Sequence, residues 1–529
     1  MKNKPGLICL QILSFASKIF HKLVKLLELK HQTTPPLPPG PKGWPLIGCL
    51  PEMIKNRNRP TFRWIHNLMQ QSNTEIACIR LGQVHVIPVT SPELAREFLR
   101  KQDETFASRP DCMSGRIASS NYLTAILSPA GHQWKKMRRI VTSEILSPSM
   151  HRLLHVKRRE EDDHLVKYVY NQCRGNDQGL VNVRVAAQHY CGNVIRKLVF
   201  GKRFFGPGTE DGGPGKEEIE HVAGVFTTLQ FIYGFGMADF LPQWLEVFDF
   251  DGCKKIISSG VDSMRKYQDP EIVKRVEMWE KGIKEREEDI LDILINLKDS
   301  ENNPMLSIEE IKAQITEIMI AAVDNPSNAV EWAIAEMIHQ PHILETARQE
   351  LDRVVGRDRF VQESDLPRLN YIKSCVKESF RLHPVNPFSP PHVSTRDTIV
   401  GHYFIPKGSH VLVSRIGLGR NPRVWENHLK YNPGRHIVDD CKEVVLVDHE
   451  LRMFSFGIGR RGCPGVVLGS TMATMLLARL VQGFDWAEPF DRSSCIKLVE
   501  SENELLMAKP LIALVRPRLG KNIYQQFLH

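Results

Sequence analysis

One glycine-rich stretch constrains the fold of this chain more than any other, because its backbone must bend around a single cysteine. It reads Phe-Gly-Ile-Gly-Arg-Arg-Gly-Cys-Pro-Gly and covers residues 456–465. Its glycines have no Cβ, so the backbone can adopt positive φ angles and lie against a flat ligand. Arg460 and Arg461 are expected to lower the pKa of the Cys463 thiol, and the thiolate is the form that binds a metal. The stretch therefore predicts a thiolate–metal site.

A helix is expected directly after this stretch. Apolar residues recur there at helical spacing: Val466, Val467, Leu468, Met472, Met475, Leu476, Leu477 and Leu480. Cys463 would then lie at a helix start, where the helix dipole favours a thiolate. A buried structural cysteine in a tight turn is the alternative. It accounts for the glycines but not for Arg461, two residues before the thiol.

The pattern Phe-x-x-Gly-x-Arg-x-Cys-x-Gly resembles the haem-binding loop of the cytochrome P-450 family of haem-thiolate monooxygenases. The resemblance implies that Cys463 is the axial iron ligand of haem b and that Phe456 and Arg461 contact the cofactor. It also implies a mainly α fold with small β-sheets, formed by a single large haem domain. A cysteine thiolate on haem iron favours O–O cleavage of bound dioxygen.

The N-terminus predicts contact with a membrane. Residues 4–18 contain an apolar stretch that is shorter than the ~20 residues of a spanning helix. Residues 19–29 follow with an amphipathic pattern, in which lysines share one helical face and apolar residues the other. A cleaved signal peptide is the alternative, and the odd number of 11 cysteines weighs against export.

The chain of 529 residues divides into three parts on this basis. Residues 1–30 are assigned to a membrane anchor or interfacial helix, and residues 31–50 to a proline-rich hinge that acts as a stiff spacer. Residues 51–529 are assigned to the haem-thiolate catalytic domain. Basic residues after the apolar part would keep this domain in the cytosol, and the resemblance places it at the endoplasmic reticulum membrane.

The charge distribution favours some partners over others. Lys and Arg total 70 against 61 Asp and Glu, a net charge of +9 that is spread along the chain. Basic repeats with interleaved aromatic residues do not occur, so a membrane surface or an acidic protein is favoured over nucleic acid. The cysteines form no Cys-x-x-Cys pair, which indicates neither a disulfide framework nor a zinc site.

A long helix is predicted in the middle of the chain. Ser307 and Glu310 form a capping box, and the helix that they begin could run to about Gln340, a length of roughly 50 Å. Small residues recur on one face and would let a flat cofactor approach. Pro326 has no N–H, so the segment is either one kinked helix or two helices with Asn325 as the second N-cap.

In the cytochrome P-450 family this helix binds oxygen, and an acid and a hydroxyl on it deliver protons. Residues 321–327, Ala-Ala-Val-Asp-Asn-Pro-Ser, align with its motif, but Asn325 stands where the family has threonine. An amide can hold a water but cannot relay a proton as a hydroxyl does. The run Asp-Asn-Pro-Ser-Asn-Ala is similar to that of the plant amino-acid N-monooxygenases. The resemblance implies catalytic roles for Asp324 and Asn325.

Further cofactor contacts follow from the same resemblance. Trp134 and Arg138 lie at i and i+4 on a basic helix and match the family's helix that hydrogen-bonds a haem propionate. A solvated charged face is the alternative for this helix. His392 stands where other members have a propionate-binding arginine, and it is a candidate partner for that carboxylate.

An ion network is expected behind the thiolate loop. Glu378 and Arg381 are one helical turn apart, and Arg435 lies downstream in Pro-Gly-Arg-His. A buried charge network must be fully paired, which makes its role structural. The family usually has glutamate where Gly434 stands.

Substrate contacts are expected from residues 112–124 and from the aromatic stretch 226–250, which would roof the pocket. A zwitterionic substrate in an apolar pocket needs a partner for its carboxylate, and Arg116 is the candidate. β-hairpins are predicted around Gly82 and around Lys407-Gly408.

The likeness to the plant branch implies a complete reaction. An L-amino acid is N-hydroxylated twice with dioxygen and then loses carbon dioxide and water, giving an aldoxime. Electrons come from NADPH through a membrane-bound NADPH–cytochrome reductase. Such oximes serve plant specialised metabolism as precursors of glucosinolates, cyanogenic glucosides or defence compounds. Three alternatives remain: a C-hydroxylating member of the family, a haem-thiolate isomerase or dehydratase, and a haem-binding protein that has lost its activity.

Overall fold

The computed structural model describes residues 35–56, 60–175, 179–439, 442–490 and 495–526. The predicted membrane anchor, residues 1–30, lies outside the described residues. Helices dominate the described part, and the prediction of a mainly α fold with small β-sheets is confirmed.

The helices are numbered in chain order. Helices α1 to α17 cover Leu50–Lys55, Thr61–Gln71, Pro92–Arg96, Met113–Ala118, His132–Ile140, Pro148–Leu153, His155–Gly175, Val183–Phe200, Lys216–Phe231, Cys253–Glu280, Ile290–Asn296, Ile308–His339, Pro341–Val354, Asn370–Leu382, Arg415–Gly419, Val466–Gly483 and Lys521–Gln525. Two π-helical turns, Glu97–Lys101 and Val141–Ile145, extend α3 and α5, and 3-10 turns cover Met237–Asp239, Gln243–Phe248, Glu363–Arg368 and Pro433–His436.

The strands form three small sheets within the described residues. Strands β1 to β9 cover Ile79–Leu81, Val84–Val89, Leu180–Asn182, His392–Val393, Thr398–Val400, Tyr403–Ile405, His410–Val413, Phe484–Ala487 and Ile512–Pro517. The sheet orders are β1-β2-β7-β4, β3-β9-β8 and β5-β6. The β1–β2 hairpin around Gly82 is confirmed, with Leu81 opposite Val84.

The hairpin predicted around Lys407-Gly408 is wrong. Strands β6 and β7 flank this turn, but they belong to different sheets. Strand β6 pairs with β5, whereas β7 pairs in parallel with β2 and antiparallel with β4. The turn at Lys407-Gly408 therefore connects strands of two different sheets. Strand β7 lies inside the larger sheet and pairs with a strand on each side, β2 and β4.

Helix α12 crosses the domain as one continuous helix of 32 residues, about 48 Å long. The Ser307 hydroxyl accepts the N–H of Glu310, and the Glu310 carboxylate accepts the N–H of Ser307, which confirms the capping box. Pro326 lies inside this helix, so the single-helix alternative is the one observed. Most of α12 is buried, and it packs against α8 and α16 in the main hydrophobic core.

Part of the proline-rich hinge lies against the catalytic domain. The carbonyl group of Pro36 accepts the N–H of Phe404, and that of Pro39 accepts the N–H of Cys78, both at 2.9 Å. A Cβ at Gly40 would lie 1.9 Å from the carbonyl oxygen of Cys78, so the contact requires glycine. The spacer predicted for residues 31–50 is thus attached to the sheets from residue 36 onwards.

Helix α16 combines length with apolar character. It is the one helix among the described residues that is long and apolar enough to cross a membrane, and 67% of it is buried inside the protein. Its side chains pack in the main core together with those of α12. The apolar pattern predicted after Cys463 is therefore that of a core helix.

Candidate cofactor and active site

A cavity of about 780 Å³ lies against Cys463. Helices α5, α8, α9, α12 and α16 form its walls, together with the segment after α14 and the turn at residues 503–506. Most of the lining is apolar. Cys463 is exposed to this cavity, so its sulfur can bind a group placed there.

The loop around Cys463 has the backbone geometry that its glycines predict. The φ angle is +67° at Gly457 and +76° at Gly459, both in the left-handed region. A Cβ at Gly459 would lie 2.5 Å from the carbonyl oxygen of Leu99, which leaves room for glycine only. The N–H of Cys463 donates to the carbonyl of Phe456 at 2.8 Å and closes the loop.

The two arginines that precede Cys463 do not act on the thiol as predicted. Arg460 is exposed, and its guanidinium lies 3.6 Å from the carboxylate of Asp103. Arg461 points the other way and donates to two backbone carbonyl groups at 2.6 and 2.8 Å. Burial raises the pKa of the Cys463 thiol, and an N–H hydrogen bond, Arg138 and Arg415 act against it. The prediction chose the wrong arginines.

A basic cluster is here defined as Arg109, Arg138 and Arg461, which line one side of the cavity, together with Trp134, which packs against Arg461. The Arg461 guanidinium carbon lies 4.1 Å from the centroid of the Trp134 ring, in cation–π contact. Arg138 donates to a carbonyl group of the glycine-rich loop at 2.6 Å. The cluster gathers positive charge where the resemblance predicts haem propionates.

The residues of this cavity fit a haem. The sulfur of Cys463 is open to it, and Ala321 on α12 is exposed to it although its helix crosses the core. The Nε1–H of Trp134 is buried and has no hydrogen-bond partner among the described residues. Next to Arg138, such a donor suits the carboxylate of a propionate.

His392 lines the cavity, and its role as a propionate partner stays a prediction. Its Nδ1 lies 3.1 Å from the carbonyl oxygen of Phe106, which makes Nδ1 the donor. Burial lowers the pKa of His392 well below its ordinary value, so the ring is neutral and Nε2 carries no proton. Donation from Nε2 to a propionate would require the other tautomer or protonation of this ring.

The polar groups of α12 face the cavity near its centre. Asp324 lines it, and its Oδ1 has no hydrogen-bond partner among the described residues. Burial and the neighbouring Glu504 raise the pKa of Asp324 to about 8. Asn325 makes two long contacts, from Nδ2 to the Ala321 carbonyl at 3.5 Å and from Oδ1 to Nη1 of Arg415 at 3.4 Å.

Glu317 ties the cavity wall to α12. Its carboxylate accepts the backbone N–H groups of Ala125, Ile126 and Leu127 at 3.0 to 3.1 Å. The side chain is 3% exposed, so these bonds are shielded from solvent. Residues 125–127 and α12 therefore form one unit on this side of the cavity.

Glu378, Arg381 and Arg435 meet in one buried network. Glu378 lies 2.8 Å from Nε of Arg381 and 3.0 Å from Nε of Arg435. His436 adds a fourth member at 2.8 Å, and the N–H of Asn432 donates to Glu378 at 2.9 Å. Position 434 leaves no gap in this network, because neighbouring residues already pair both carboxylate oxygens of Glu378.

The residues predicted to contact the substrate line the main cavity only in part. None of residues 112–124 lines the main cavity, whereas residues 125–127 do. Arg116 is also absent from its lining, because its guanidinium pairs with Glu246 at 2.9 Å and with Asp111 at 3.3 Å. Its role as the carboxylate partner stays a prediction without a place in the cavity. Part of the aromatic stretch does line it, at Phe226, Phe231, Tyr233 and Phe235.

Several charged residues of the cavity carried no prediction. Glu317 could have been found, since it lies four and seven residues before Ala321 and Asp324 and so shares their helix face. Arg109, Arg415 and Glu504 come from loops and a short helix start. Their convergence depends on tertiary structure, and no spacing in the sequence indicates it.

Comparisons with known proteins agree with this site. Residues 38–515 match the family model described as cytochrome P-450. A phenylalanine N-monooxygenase of Prunus mume is 54% identical over 511 residues, 96% of this chain and 95% of that protein. Valine N-monooxygenase 1 of Manihot esculenta is 54% identical over 489 residues, 92% of this chain and 89% of that protein. Tryptophan N-monooxygenase 1 of Arabidopsis thaliana is 49% identical over 503 residues, 95% and 92% of the two chains.

The family match spans the cavity, the thiolate loop and both ends of α12. It also begins at residue 38, inside the proline-rich segment that is attached to the sheets. Family membership suggests association with a membrane and implies haem b, dioxygen, a substrate and a reductase as partners. With the thiol open to a cavity that fits haem, these findings agree: the chain belongs to the cytochrome P-450 family.

Proposed function

We propose that this chain is a monooxygenase that converts an L-amino acid to the corresponding aldoxime. One amino acid, two dioxygen molecules, two NADPH and two protons give one aldoxime, one carbon dioxide, three water molecules and two NADP⁺. Both oxygenations take place at the amino nitrogen. The α-carboxylate leaves as carbon dioxide, and the second N-hydroxylation and dehydration leave the C=N–OH group.

One observation carries this proposal: the cavity that exposes Cys463 also contains Asp324 and Asn325 within a mostly apolar lining. An apolar cavity accepts a side chain, and its few polar groups are available for the amino-acid end. The relatives are named for phenylalanine, valine and tryptophan, which share only the α-amino and α-carboxylate groups. The sequence identities of these three relatives to this chain are nearly equal, so they do not favour one amino acid as the substrate.

Different residues of the chain are proposed to hold the haem, exclude water and supply a proton. Haem b, when bound, supplies the activation of dioxygen with electrons from the reductase. Cys463 would hold the iron, and Trp134 with Arg138 would hold a propionate. The apolar walls exclude water. Asp324 holds a proton at neutral pH because burial raises its pKa to about 8, and it can deliver that proton to the reacting atoms.

Asp324→Asn is expected to lower aldoxime formation about 100-fold, the low end for a lost acid–base group. In the wild type, turnover should fall as the pH rises through about 8, because Asp324 then loses its proton. This limb of the pH profile should be missing in the variant. Glu309→Gln, on an exposed side chain of the same helix, is the control. Wild-type rates and an unchanged pH profile in Asp324→Asn would contradict this role.

The reaction is tested with the full chain and a reductase in membranes. NADPH is added with phenylalanine, tyrosine, tryptophan, valine or isoleucine, and oximes are measured by mass spectrometry. Products hydroxylated on carbon would favour the C-hydroxylating alternative. Haem-thiolate absorption without consumption of any amino acid would favour an isomerase or a protein without activity.

We further propose that residues 1–30 anchor the protein at the endoplasmic reticulum membrane with the catalytic domain on the cytosolic face. The apolar and amphipathic N-terminal pattern supports this. The aldoxime would serve plant specialised metabolism, in line with the plant origin of the relatives. Alkaline carbonate extraction of membranes should leave the full chain in the pellet, and full release would contradict an anchor.

A further inference from the structure

Four arginines line the cavity, and one of them differs from the others in its contacts. Arg109, Arg138 and Arg461 each donate to backbone carbonyl groups at 2.6 to 3.4 Å. Their charges are held in place by the protein itself. Arg415 donates to no backbone carbonyl group from its side chain within the described part of the chain.

Arg415 lies at the start of α15 and lines the cavity. Its backbone N–H donates to the carbonyl of Pro387 at 2.8 Å, which fixes the residue in place. The guanidinium carbon lies 5.4 Å from the centroid of the Phe454 ring. Its one polar side-chain contact in the described chain is the 3.4 Å contact from Nη1 to Asn325. Nε is buried and has no partner there.

A cation in this position lacks a counter-ion. Among the described residues, no carboxylate lies within 4.0 Å of the Arg415 guanidinium, although buried charges are normally paired. Burial lowers the pKa of Arg415 to about 10, so the side chain is still charged at neutral pH. Neither Nε nor Nη2 has a hydrogen-bond partner among the described residues, and two parallel N–H donors of this kind match a carboxylate.

Two sources could supply this carboxylate, the substrate and a haem propionate. Nη1 of Arg415 lies 3.4 Å from Oδ1 of Asn325, which follows Asp324 on α12, whereas the arginines of the basic cluster donate to backbone carbonyl groups of loops. Arg415 therefore lies apart from the basic cluster and next to the proton-holding residue of α12. This position favours the substrate as the source.

We propose that Arg415 binds the α-carboxylate of the amino-acid substrate, with Asn325 beside it. The inference rests on the proposed function and extends it, because it names the residue that recognises the feature common to all amino acids. A carboxylate held there keeps the adjacent α-amino group near Asp324 and Cys463. Arg415 would then be a positioning and binding residue. The part of the cavity that holds the substrate side chain could differ between enzymes that act on different amino acids.

The test compares two ligands on holoenzyme and on Arg415→Gln. The ligands are the amino acid that gives the most oxime and the primary amine that lacks only its carboxylate, for example phenylalanine and 2-phenylethylamine. Dissociation constants come from the change in haem absorption on titration. Arg415→Gln should bind the amino acid about 30-fold more weakly or worse, as expected for a truncated buried charge pair. Its affinity for the amine should change by less than about threefold, the size of an indirect effect.

Arg415→Lys provides a second variant that keeps the charge and loses the planar fork. It should retain part of the preference for the amino acid, with binding about tenfold weaker than wild type. Arg423→Gln is the control, because that exposed arginine pairs with Glu75 and Glu93 on the surface. Haem content and the carbon monoxide difference spectrum are measured for every variant.

The outcomes separate the possibilities. Loss of preference in Arg415→Gln with full haem content supports the assignment. Loss of haem in both Arg415 variants assigns the residue to a propionate and overturns it. If oxime forms but Arg415→Gln keeps the wild-type preference, the assignment fails and the proposed function stands. If no amino acid is turned over or bound better than its amine, both fail.

Discussion

Replacing Cys463 with serine is expected to abolish the carbon monoxide spectrum of a haem thiolate and to reduce aldoxime formation to the background of the reductase alone. The reason is chemical, since a serine hydroxyl stays protonated and cannot supply the thiolate that donates electron density to iron. The loop itself should survive, because its closure depends on a backbone hydrogen bond from Cys463 to Phe456 and on glycines at positive φ. Absorption spectra and oxime assays on the purified variant measure both effects.

Cys495→Ser is the matched control, because this cysteine is exposed and does not line the cavity. It should keep the spectrum and the activity. A thiolate spectrum in Cys463→Ser would show that another cysteine binds the iron, and the assignment of the whole cavity would then fail.

Glu378→Gln is expected to cause the largest loss of stability. The carboxylate is fully buried and pairs with Arg381, Arg435 and His436 at 2.8 to 3.0 Å. Removing one partner of a buried ion network costs about 3–5 kcal/mol, because the remaining charges stay buried without compensation. Urea titration followed by haem absorption and tryptophan fluorescence measures the change in the free energy of unfolding.

The control and the pH dependence sharpen this prediction. Glu97→Gln removes an exposed pair with Lys101 and should cost less than about 1 kcal/mol. Burial raises the pKa of Glu378, but hydrogen bonds from Arg381 and His436 outweigh it and hold that pKa at about 2. The stabilisation is therefore complete above pH 4.5 and is lost as the pH falls towards 2. A gap between wild type and Glu378→Gln that stays constant over this range would contradict the ion network.

The sequence predicted those parts of the site that depend on local chemistry. Gly459 and the capping box at Ser307 are examples, because their geometry is set within a few residues. The resemblance added Trp134, which packs against Arg461, and the pairing of Glu378 with Arg435; in both cases the partners are far apart in the chain. It could not show that Pro326 lies within one helix, since the two readings differ only in tertiary packing.

The errors share a physical cause. Arg460 and Arg461 were expected to act on the thiol because they adjoin it in sequence, yet adjacent side chains in a loop point in different directions. Arg415 and Arg138 act on it instead, from elements 48 and 325 residues away, as their positions in the chain show. Arg116 failed to reach the cavity for a similar reason, because Glu246 from another segment pairs with it.

The tether formed by Glu317 has a consequence for how substrate choice could evolve. Residues 112–124 touch the main cavity nowhere, but they lead directly into residues 125–127, which Glu317 clamps to the central helix. Sequence drift in the preceding stretch therefore acts on the cavity indirectly, for example through Ser114, whose hydroxyl accepts the N–H of the cavity residue Tyr233. Exchanging that stretch between enzymes with different amino-acid substrates should therefore change their choice of side chain less than exchanging the cavity-lining residues 125–127.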